Sequence, residues 1–256
     1  MRNIDRAVTD DEGVLLAAVA NCAGAYETWV GRLGRRRQRW EDVTCVDLGL
    51  SVPLPVNGAT VLREPDPGEV EGLLDRVAGF FAAGSGGPYE IWSVWPLPSL
   101  DRAGVPSEAV PCMVRDAGGT APEAPGELEI AEAVDEVTVR QAEALIAEVF
   151  GAEDVPGSML TLACLDERFR VWIGRVEGRP VTTAAAFIGD GFVGIYAVAT
   201  TRDARGHGYG EAMTWAATLC RPELPATLQA SPMGWPIYER IGYRTIAEFT
   251  VWELER

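Results

Sequence analysis

The feature that most restricts the fold is a glycine-rich segment between an apolar stretch and a helical one. Residues 192–199 are apolar and predict a buried strand, and residues 208–220 repeat apolar side chains at helical spacing. Between them lies the sequence Arg205-Gly206-His207-Gly208-Tyr209-Gly210. A strand that enters a helix through a glycine loop requires a sheet with helices packed on it, so we predict an α/β fold around one mixed sheet.

The glycine loop is placed to bind an anion. The first backbone N–H groups of a helix have no partner within the helix, and the helix dipole is positive at that end. Glycines at 206, 208 and 210 carry no Cβ that would hold phosphate oxygens away from those N–H groups. Arg205 adds a positive charge. We therefore predict that a phosphate or diphosphate binds here.

Two familiar glycine loops do not match this segment. A P-loop requires Gly-Lys followed by Ser or Thr, and the segment contains no Lys. A dinucleotide fingerprint belongs to an early βαβ unit with an acid that binds ribose, whereas this loop lies late in the chain.

A second motif lies further along, in residues 228–243, and it ends in Tyr238-Glu239-Arg240-Ile241-Gly242-Tyr243. Together with Arg205-x-x-Gly208-x-Gly210, it resembles the two acyl-CoA-binding motifs of the GNAT superfamily of N-acetyltransferases. The two motifs stand in the order and at the spacing of that family. The resemblance covers roughly residues 128 to 254.

This resemblance implies the donor, the acceptor and the residues that hold the donor. Acetyl-CoA, or another acyl-CoA, is the implied co-substrate, and no metal is needed. The implied acceptor is a primary amine of a small molecule, which attacks directly in a ternary complex. The strand end at 196–200 is implied to lie beside the pantetheine arm, with a backbone N–H near Val198 polarising the carbonyl. The implied cofactor-binding residues are Val198, Ala199, Thr200, Arg205, Gly206, His207, Gly208, Tyr209, Gly210 and Ser231.

The resemblance also suggests catalytic side chains. Tyr238 matches the family tyrosine that protonates the departing thiolate. Many members carry a glutamate as general base on the strand before the loop, but residues 194–198 contain none. Tyr196, Asp190 or a water chain ending at a backbone carbonyl could replace it, or an acceptor of low pKa needs little help. We name Tyr238 and Tyr196 as the catalytic candidates and expect His207 to serve the loop or the cofactor.

Composition divides the chain into two halves. Residues 116–127 are rich in Gly, Pro and acids and predict a linker between domains 1–115 and 128–256. The first half repeats the order strand, loop, helix, but its loop at 63–69 holds acids and prolines, which repel phosphate and remove amide donors. We therefore expect a tandem of GNAT-like domains with a degenerate first member, and an acceptor cleft between them.

The predicted elements are set by hydrophobic periodicity. In the first half, helices are predicted at 11–33 and 67–83 and strands at 43–48, 59–62 and 89–95. In the second half, strands are predicted at 128–133, 170–176, 181–188, 192–199 and 226–230, with helices at 135–150, 208–220 and 236–241 and a closing strand pair at 243–254. The cluster Arg35, Arg36, Arg37 and Arg39 is interpreted as a solvated helix end.

The charge and the cysteine and histidine content argue against several classes of partner and metal site. The net charge of −16 argues against nucleic acid and anionic membranes. Five dispersed cysteines are typical of reduced thiols, and a single histidine excludes a histidine-rich metal site. No apolar signal segment precedes Val14, so we expect a cytoplasmic protein. The sequence allows for a homodimer.

Two other functions remain open from the residues alone. One is a non-catalytic module that binds acyl-CoA for regulation, which the missing glutamate favours and Tyr238 opposes. The other is transfer of an acyl group longer than acetyl, which the space behind Thr200 would decide.

Overall fold

The computed structural model describes residues 11–51, 54–84, 87–151 and 160–255. The helices are α1 Asp11–Arg32, α2 Val70–Ala82, α3 Pro98–Arg102, α4 Glu136–Phe150, α5 Tyr209–Thr218 and α6 Trp235–Arg240. The strands are β1 Arg36–Arg39, β2 Val43–Asp47, β3 Asn57–Val61, β4 Tyr89–Ser93, β5 Ser107–Arg115, β6 Leu128–Glu132, β7 Phe169–Val176, β8 Arg179–Gly189, β9 Phe192–Thr200, β10 Ala226–Gln229 and β11 Arg244–Leu254.

The strands of the described residues form one sheet in the order β1-β2-β3-β4-β11-β5-β10-β9-β8-β7-β6. Two neighbouring pairs are parallel, β3 with β4 and β9 with β10, and the other pairs are antiparallel. Each parallel pair is joined through a helix, α2 or α5, as a parallel connection requires. The predicted α/β fold around one mixed sheet is confirmed.

Helices cover both faces of the sheet. Successive residues of a strand face opposite sides, and Tyr196 of β9 packs in one cluster with Ile146 of α4 and Trp29 of α1. Its neighbour Ile195 packs in another cluster with Met213 of α5. Therefore α1 and α4 lie on one face and α5 on the other. Because strands β2, β3 and β4 are buried along their whole length, they too are covered on both faces.

The two halves of the chain share the centre of the sheet. Strand β11, from the second half, pairs with β4 and β5 of the first half, while β5 pairs with β10 of the second. Residues 116–127 contain no helix or strand. This segment lies against the second half, where the Gly118 N–H donates to the carbonyl of Pro222 over 2.7 Å. The proposed domains of residues 1–115 and 128–256 stay a prediction.

Two local predictions were wrong. The basic cluster does not end a helix, because Arg36–Arg39 form an edge strand paired with β2. The guanidinium of Arg36 lies 4.6 Å from the centre of the Phe80 ring, and Arg39 pairs with Glu27 over 2.9 Å. These contacts come from distant residues, which local periodicity does not register. The closing strand pair is one strand, β11, with an irregularity between Thr245 and Ala247.

The sequence did not predict two further elements, strand β5 and the short helix α3. Asp135 caps α4, accepting a hydrogen bond from the Thr138 N–H over 2.8 Å. Among the described helices, none is both long and apolar enough to cross a bilayer.

Candidate active site

The sheet opens between β9 and β10. These parallel strands pair only where residues 193–195 meet residues 226–228. Strand β9 continues to Thr200, but the chain after β10 turns towards β5, where the Ala230 N–H donates to the carbonyl of Pro111 over 2.9 Å. The edge of β9 from residue 196 onward therefore has no pairing with β10. A ligand can use this edge as a further strand would.

A bulge in β9 marks the start of the opening. Tyr196 pairs with Ala185 and Ala199 with Thr183, so Ala197 and Val198 together face Ala184. Ala197 has a φ of 49°, in the left-handed region. A bulge bends its strand and changes the direction of the next side chains. Here it turns the half-buried Val198 towards the opening.

A cavity of about 620 Å³ occupies this opening. Its volume lies in the range common for small-molecule sites. Val149 and Phe150, at the end of α4, and Ile237 of α6 contribute apolar walls. Since α4 and α5 lie on opposite faces, the cavity reaches through the sheet from one face to the other. Nine predicted site residues line it: Val198, Thr200, Arg205, Gly206, Gly208, Tyr209, Gly210, Ser231 and Tyr238.

The glycine loop forms one end of this cavity. Gly206 and Gly208 have φ values of 84° and 80°, which residues with a side chain rarely adopt. Gly208 is the N-cap of α5, so the free N–H groups of the first turn point out of the helix beside the cavity. At Gly210 a Cβ would lie 3.3 Å from Oγ1 of Thr200. The loop therefore fits an anion through its backbone, as the sequence predicts.

Two arginines line the cavity. Nε of Arg205 donates to the Thr200 carbonyl over 3.1 Å, which fixes its guanidinium at the loop. Arg240 of α6 was not predicted, and its Nη2 lies 3.0 Å from Oε2 of Glu211. Arg202, which also lies between β9 and α5, does not line the cavity. Asp203 is paired with Arg179 over 2.8 Å, so its charge is balanced beside the loop.

Tyr238 of α6 contributes to the wall of the cavity. Its side chain is 8% exposed and makes an edge contact with Tyr243, with ring centres 6.1 Å apart. Burial raises the pKa of the Tyr238 hydroxyl to about 12, because the charged phenolate is disfavoured away from water. The hydroxyl therefore stays protonated at neutral pH and can act as a proton donor inside the cavity.

Ser231 stands between β10 and α6. Its Oγ accepts a hydrogen bond from the Gly234 N–H over 3.1 Å, and its carbonyl accepts from the N–H groups of Gly234 and Trp235. The residue therefore shapes the turn that leads into α6 while it also lines the cavity. Among the described residues, no histidine or acid is hydrogen-bonded to its hydroxyl, which agrees with a cap or ligand contact more than with a nucleophile.

Tyr196 lies away from the cavity. Its hydroxyl donates to Oδ1 of Asn21 in α1 over 2.7 Å, and its ring meets Tyr26 with centres 5.6 Å apart. Burial is the largest cause that raises the pKa of Tyr196 well above its ordinary value. Asn21 also donates to the Gly189 carbonyl over 2.7 Å, so this pair ties α1 to the β8–β9 hairpin. The geometry brings Tyr196 to the helix and not to Tyr238.

Two further residues predicted to contact the cofactor, Ala199 and His207, do not line the cavity. Ala199 is 1% exposed and does not line the cavity. The His207 ring stacks on Tyr209, with centres 5.3 Å apart, and its Nδ1 donates towards the Arg205 carbonyl over 3.1 Å. A carbonyl only accepts, so this contact places a proton on Nδ1. His207 supports the loop rather than facing the cavity.

The remaining base candidate is also distant. Asp190 lies in the turn before β9, and eight residues separate it along the strand from Val198. At about 3.3 Å per residue, that is roughly 26 Å. The aromatic side chains of Trp92, Trp95, Trp172 and Trp235 do not line this cavity.

Comparisons with solved structures relate most of the chain to one group of folds. No model of a protein family matches the sequence, and no curated protein matches it. Among solved structures, a GCN5-related N-acetyltransferase from Kribbella flavida superimposes with a TM-score of 0.64 at 20% identity, over 91% of this chain and 95% of that one. A protein described as a GNAT-family acetyltransferase from Novosphingobium aromaticivorans gives 0.59 at 16%, over 93% and 96%.

A third similar structure is a GCN5-related N-acetyltransferase from Sphaerobacter thermophilus, with a TM-score of 0.56 at 16% identity, over 80% of this chain and 73% of that one. At such identities the likeness concerns the fold. Both halves of the chain fall within the superposition on the first two structures.

Proposed function

From the fold that this chain shares with GNAT acetyltransferases, we propose that it is an acyl-CoA-dependent N-acyltransferase. It transfers an acetyl group from acetyl-CoA to a primary amine of a small molecule, by direct attack in a ternary complex. One observation carries the proposal: the glycine loop at the start of α5 and the buried hydroxyl of Tyr238 open into the same cavity. In this proposal, one cavity combines a loop suited to phosphate with a side chain suited to donate a proton.

The donor would be held by backbone and charge. The first-turn N–H groups of α5 and the side chain of Arg205 suit the diphosphate. The open edge of β9 at Val198 and Thr200 suits an extended amide chain, because β10 does not pair with the backbone there. These contacts orient the donor without a covalent link to the protein, so most of the catalytic effect would come from proximity.

Tyr238 would supply the proton that the reaction needs on sulfur. Acetyl-CoA, when bound, provides an activated thioester from which an amine takes the acetyl group. The amine nitrogen forms the new C–N bond as the C–S bond breaks, and the Tyr238 hydroxyl protonates the departing sulfur. Tyr238 then regains a proton from water. Its raised pKa makes it a protonated donor over the whole neutral range.

The proton lost by the amine would leave through water. The Tyr196 hydroxyl donates a hydrogen bond to Oδ1 of Asn21, and Asp190 stands at the far end of β9. Neither lies where it could accept the proton of an amine in the cavity. A water chain ending at a backbone carbonyl along the open edge of β9 is the remaining alternative. An amine of low pKa would need the least help on this route.

We also propose that the first half is a degenerate copy of the second. In both halves a helix precedes two antiparallel strands. A parallel strand pair and a short helix come next, and the last strand pairs with a strand of the other half. Cytoplasmic location and a homodimer stay predictions.

A second candidate is a non-catalytic acyl-CoA-binding module. The displacement of Tyr196 from the cavity and the lack of a carboxylate on residues 194–198 favour it. A transferase for a longer acyl group is favoured by the apolar walls at Val149 and Phe150. Both alternatives use the same loop for the phosphates. The module would differ from the main proposal in lacking turnover, and the longer-chain transferase would differ in the acyl group of its donor.

The test is thiol release with a panel of primary amines. With acetyl-CoA we expect amine-dependent release of free thiol, and calorimetry should show that CoA binds. Tyr238→Phe should lower kcat by about 100-fold, typical of a lost general acid, and leave the Kd for CoA within about twofold. Tyr196→Phe is the matched control, whose kcat should stay close to the wild type. Binding without turnover for every amine supports the module, and no binding of any acyl-CoA contradicts the proposal.

A further inference from the structure

Gly234 is a glycine that its own backbone does not require. It precedes α6 with φ −80° and ψ −30°, which any residue adopts. Its N–H donates to Ser231, and any residue except proline could make the same bond. It also lines the cavity. Since neither conformation nor hydrogen bonding calls for glycine here, the reason must be the space that a side chain would fill.

That space is occupied by Tyr238. A Cβ on residue 234 would lie 2.6 Å from Cε2 of the Tyr238 ring, and 3.0 Å from both Cζ and the hydroxyl oxygen. Residues four apart on a helix are neighbours on one face. Because 2.6 Å is far inside contact distance, the phenol rests directly on the bare Cα of Gly234.

The ring has little freedom to move elsewhere. Tyr238 is packed in a buried cluster with Trp215 and Ile241, and Tyr243 meets it edge-on. Tyr238 also lines the cavity, which is the open space beside it. A methyl group at position 234 would therefore displace the ring, and the hydroxyl with it, from the present position.

We propose that Gly234 is a positioning residue for Tyr238, and that its missing side chain sets where the phenolic hydroxyl stands in the cavity. This inference rests on the proposed function, in which that hydroxyl protonates the leaving sulfur. A proton donor works only within hydrogen-bond reach of the atom it protonates, so a displaced hydroxyl loses rate rather than donor affinity.

A double-mutant cycle tests the inference kinetically. Gly234→Ala should lower kcat by about 10-fold and leave the KM for acetyl-CoA within about twofold. In the Tyr238→Phe background the same substitution should lower kcat no further, because there is no hydroxyl left to displace. A full additional loss in that background would overturn the inference, as would an effect confined to the KM for the donor.

The matched control is Gly79→Ala in α2, where a Cβ would meet no atom of the described residues within 4 Å. It should leave kcat unchanged. A second measurement does not depend on turnover: NMR of protein carrying 13C-labelled tyrosine rings, with the Tyr238 signal assigned by its absence in Tyr238→Phe. Gly234→Ala should shift that signal, and an unchanged signal overturns the positioning role. If the wild type releases no thiol with any amine, the proposed function fails, while the NMR result still decides where the ring lies.

Discussion

The two parallel strand pairs occupy similar positions in the sheet, but the loops that follow their first strands differ. Residues 58–60 of β3 pair with residues 90–92 of β4, and residues 193–195 of β9 pair with residues 226–228 of β10. A helix connects each pair, and a strand of the other half lies beside β4 and beside β10. The framework for a ligand site is therefore present twice.

The segments that leave β3 and β9 have opposite chemistry. After β9, Gly206 and Gly208 adopt positive φ values beside Arg205. After β3, the described residues 62–69 contain no positive φ, and Pro65 and Pro67 cannot donate from their backbone. A cavity of about 450 Å³ also lies there, lined by Glu64, Asp66 and Glu71. The difference teaches that a few residues after a strand decide whether the loop offers free backbone N–H groups or acidic side chains.

The largest expected effect separates the two loops directly. Gly208→Asp should weaken CoA binding by about 1000-fold, roughly 4 kcal/mol, because it adds a carboxylate to the anion site and a side chain at a φ of 80°. Gly68→Asp makes the same change in the other loop and should leave the Kd unchanged. Calorimetry with CoA measures both, and an equal loss in the two variants would break the comparison.

The next effect concerns how independent the halves are. Leu73 in α2 and Met213 in α5 are both 0% exposed. Because β11 and β5 join the halves, Leu73→Ala should destabilise the whole sheet by about 3 kcal/mol, within a single cooperative transition. Met213→Ala should shift the same transition. Urea unfolding monitored by circular dichroism and by tryptophan fluorescence checks this, and two separate transitions would show that the halves fold independently.

The smallest expected effect concerns Glu90, a charged residue in one parallel strand pair whose counterpart in the other pair is an alanine. Glu90 of β4 pairs with Gly58, at the place where Ala226 of β10 pairs with Val193. Burial raises the pKa of Glu90 from 4.5 to about 7, although Nε1 of Trp92 donates to its Oε2 over 2.6 Å and opposes the shift. Between these pH values the folded state binds more protons than the unfolded state. Stability should therefore fall as pH rises from about 4.5 through 7.

Glu90→Gln tests this dependence, since a neutral amide of the same size has no proton to lose. At pH 8 the variant should be more stable than the wild type by about 1 to 2 kcal/mol, and at pH 5 the two should be nearly equal. Urea unfolding at both pH values provides the measurement. The same gain at pH 5 as at pH 8 would show that titration of Glu90 is not the cause.

The sequence was sufficient where the signal is local. Periodicity located α1, α2, α4 and α5, and the glycine spacing predicted the loop that lines the cavity. It was insufficient where distant contacts decide. Arg36–Arg39 form a strand because β2 offers a partner, and Arg240 lines the cavity while paired with Glu211, which is distant in the chain. Tyr196 and Ile195 face opposite sides of the sheet, as alternation along a strand predicts. The sequence alone does not tell which of these sides α1 covers and which α5 covers.

The central place of β11 also determines the order in which the chain can fold. Strands β4 and β5 are synthesised long before residues 244–254, which lie between them in the finished sheet. Until those residues leave the ribosome, the facing edges of β4 and β5 carry backbone groups with no strand to pair with. Such edges readily pair with other chains. We therefore expect the risk of aggregation to be greatest after the first half has been made and before residues 244–254 are made.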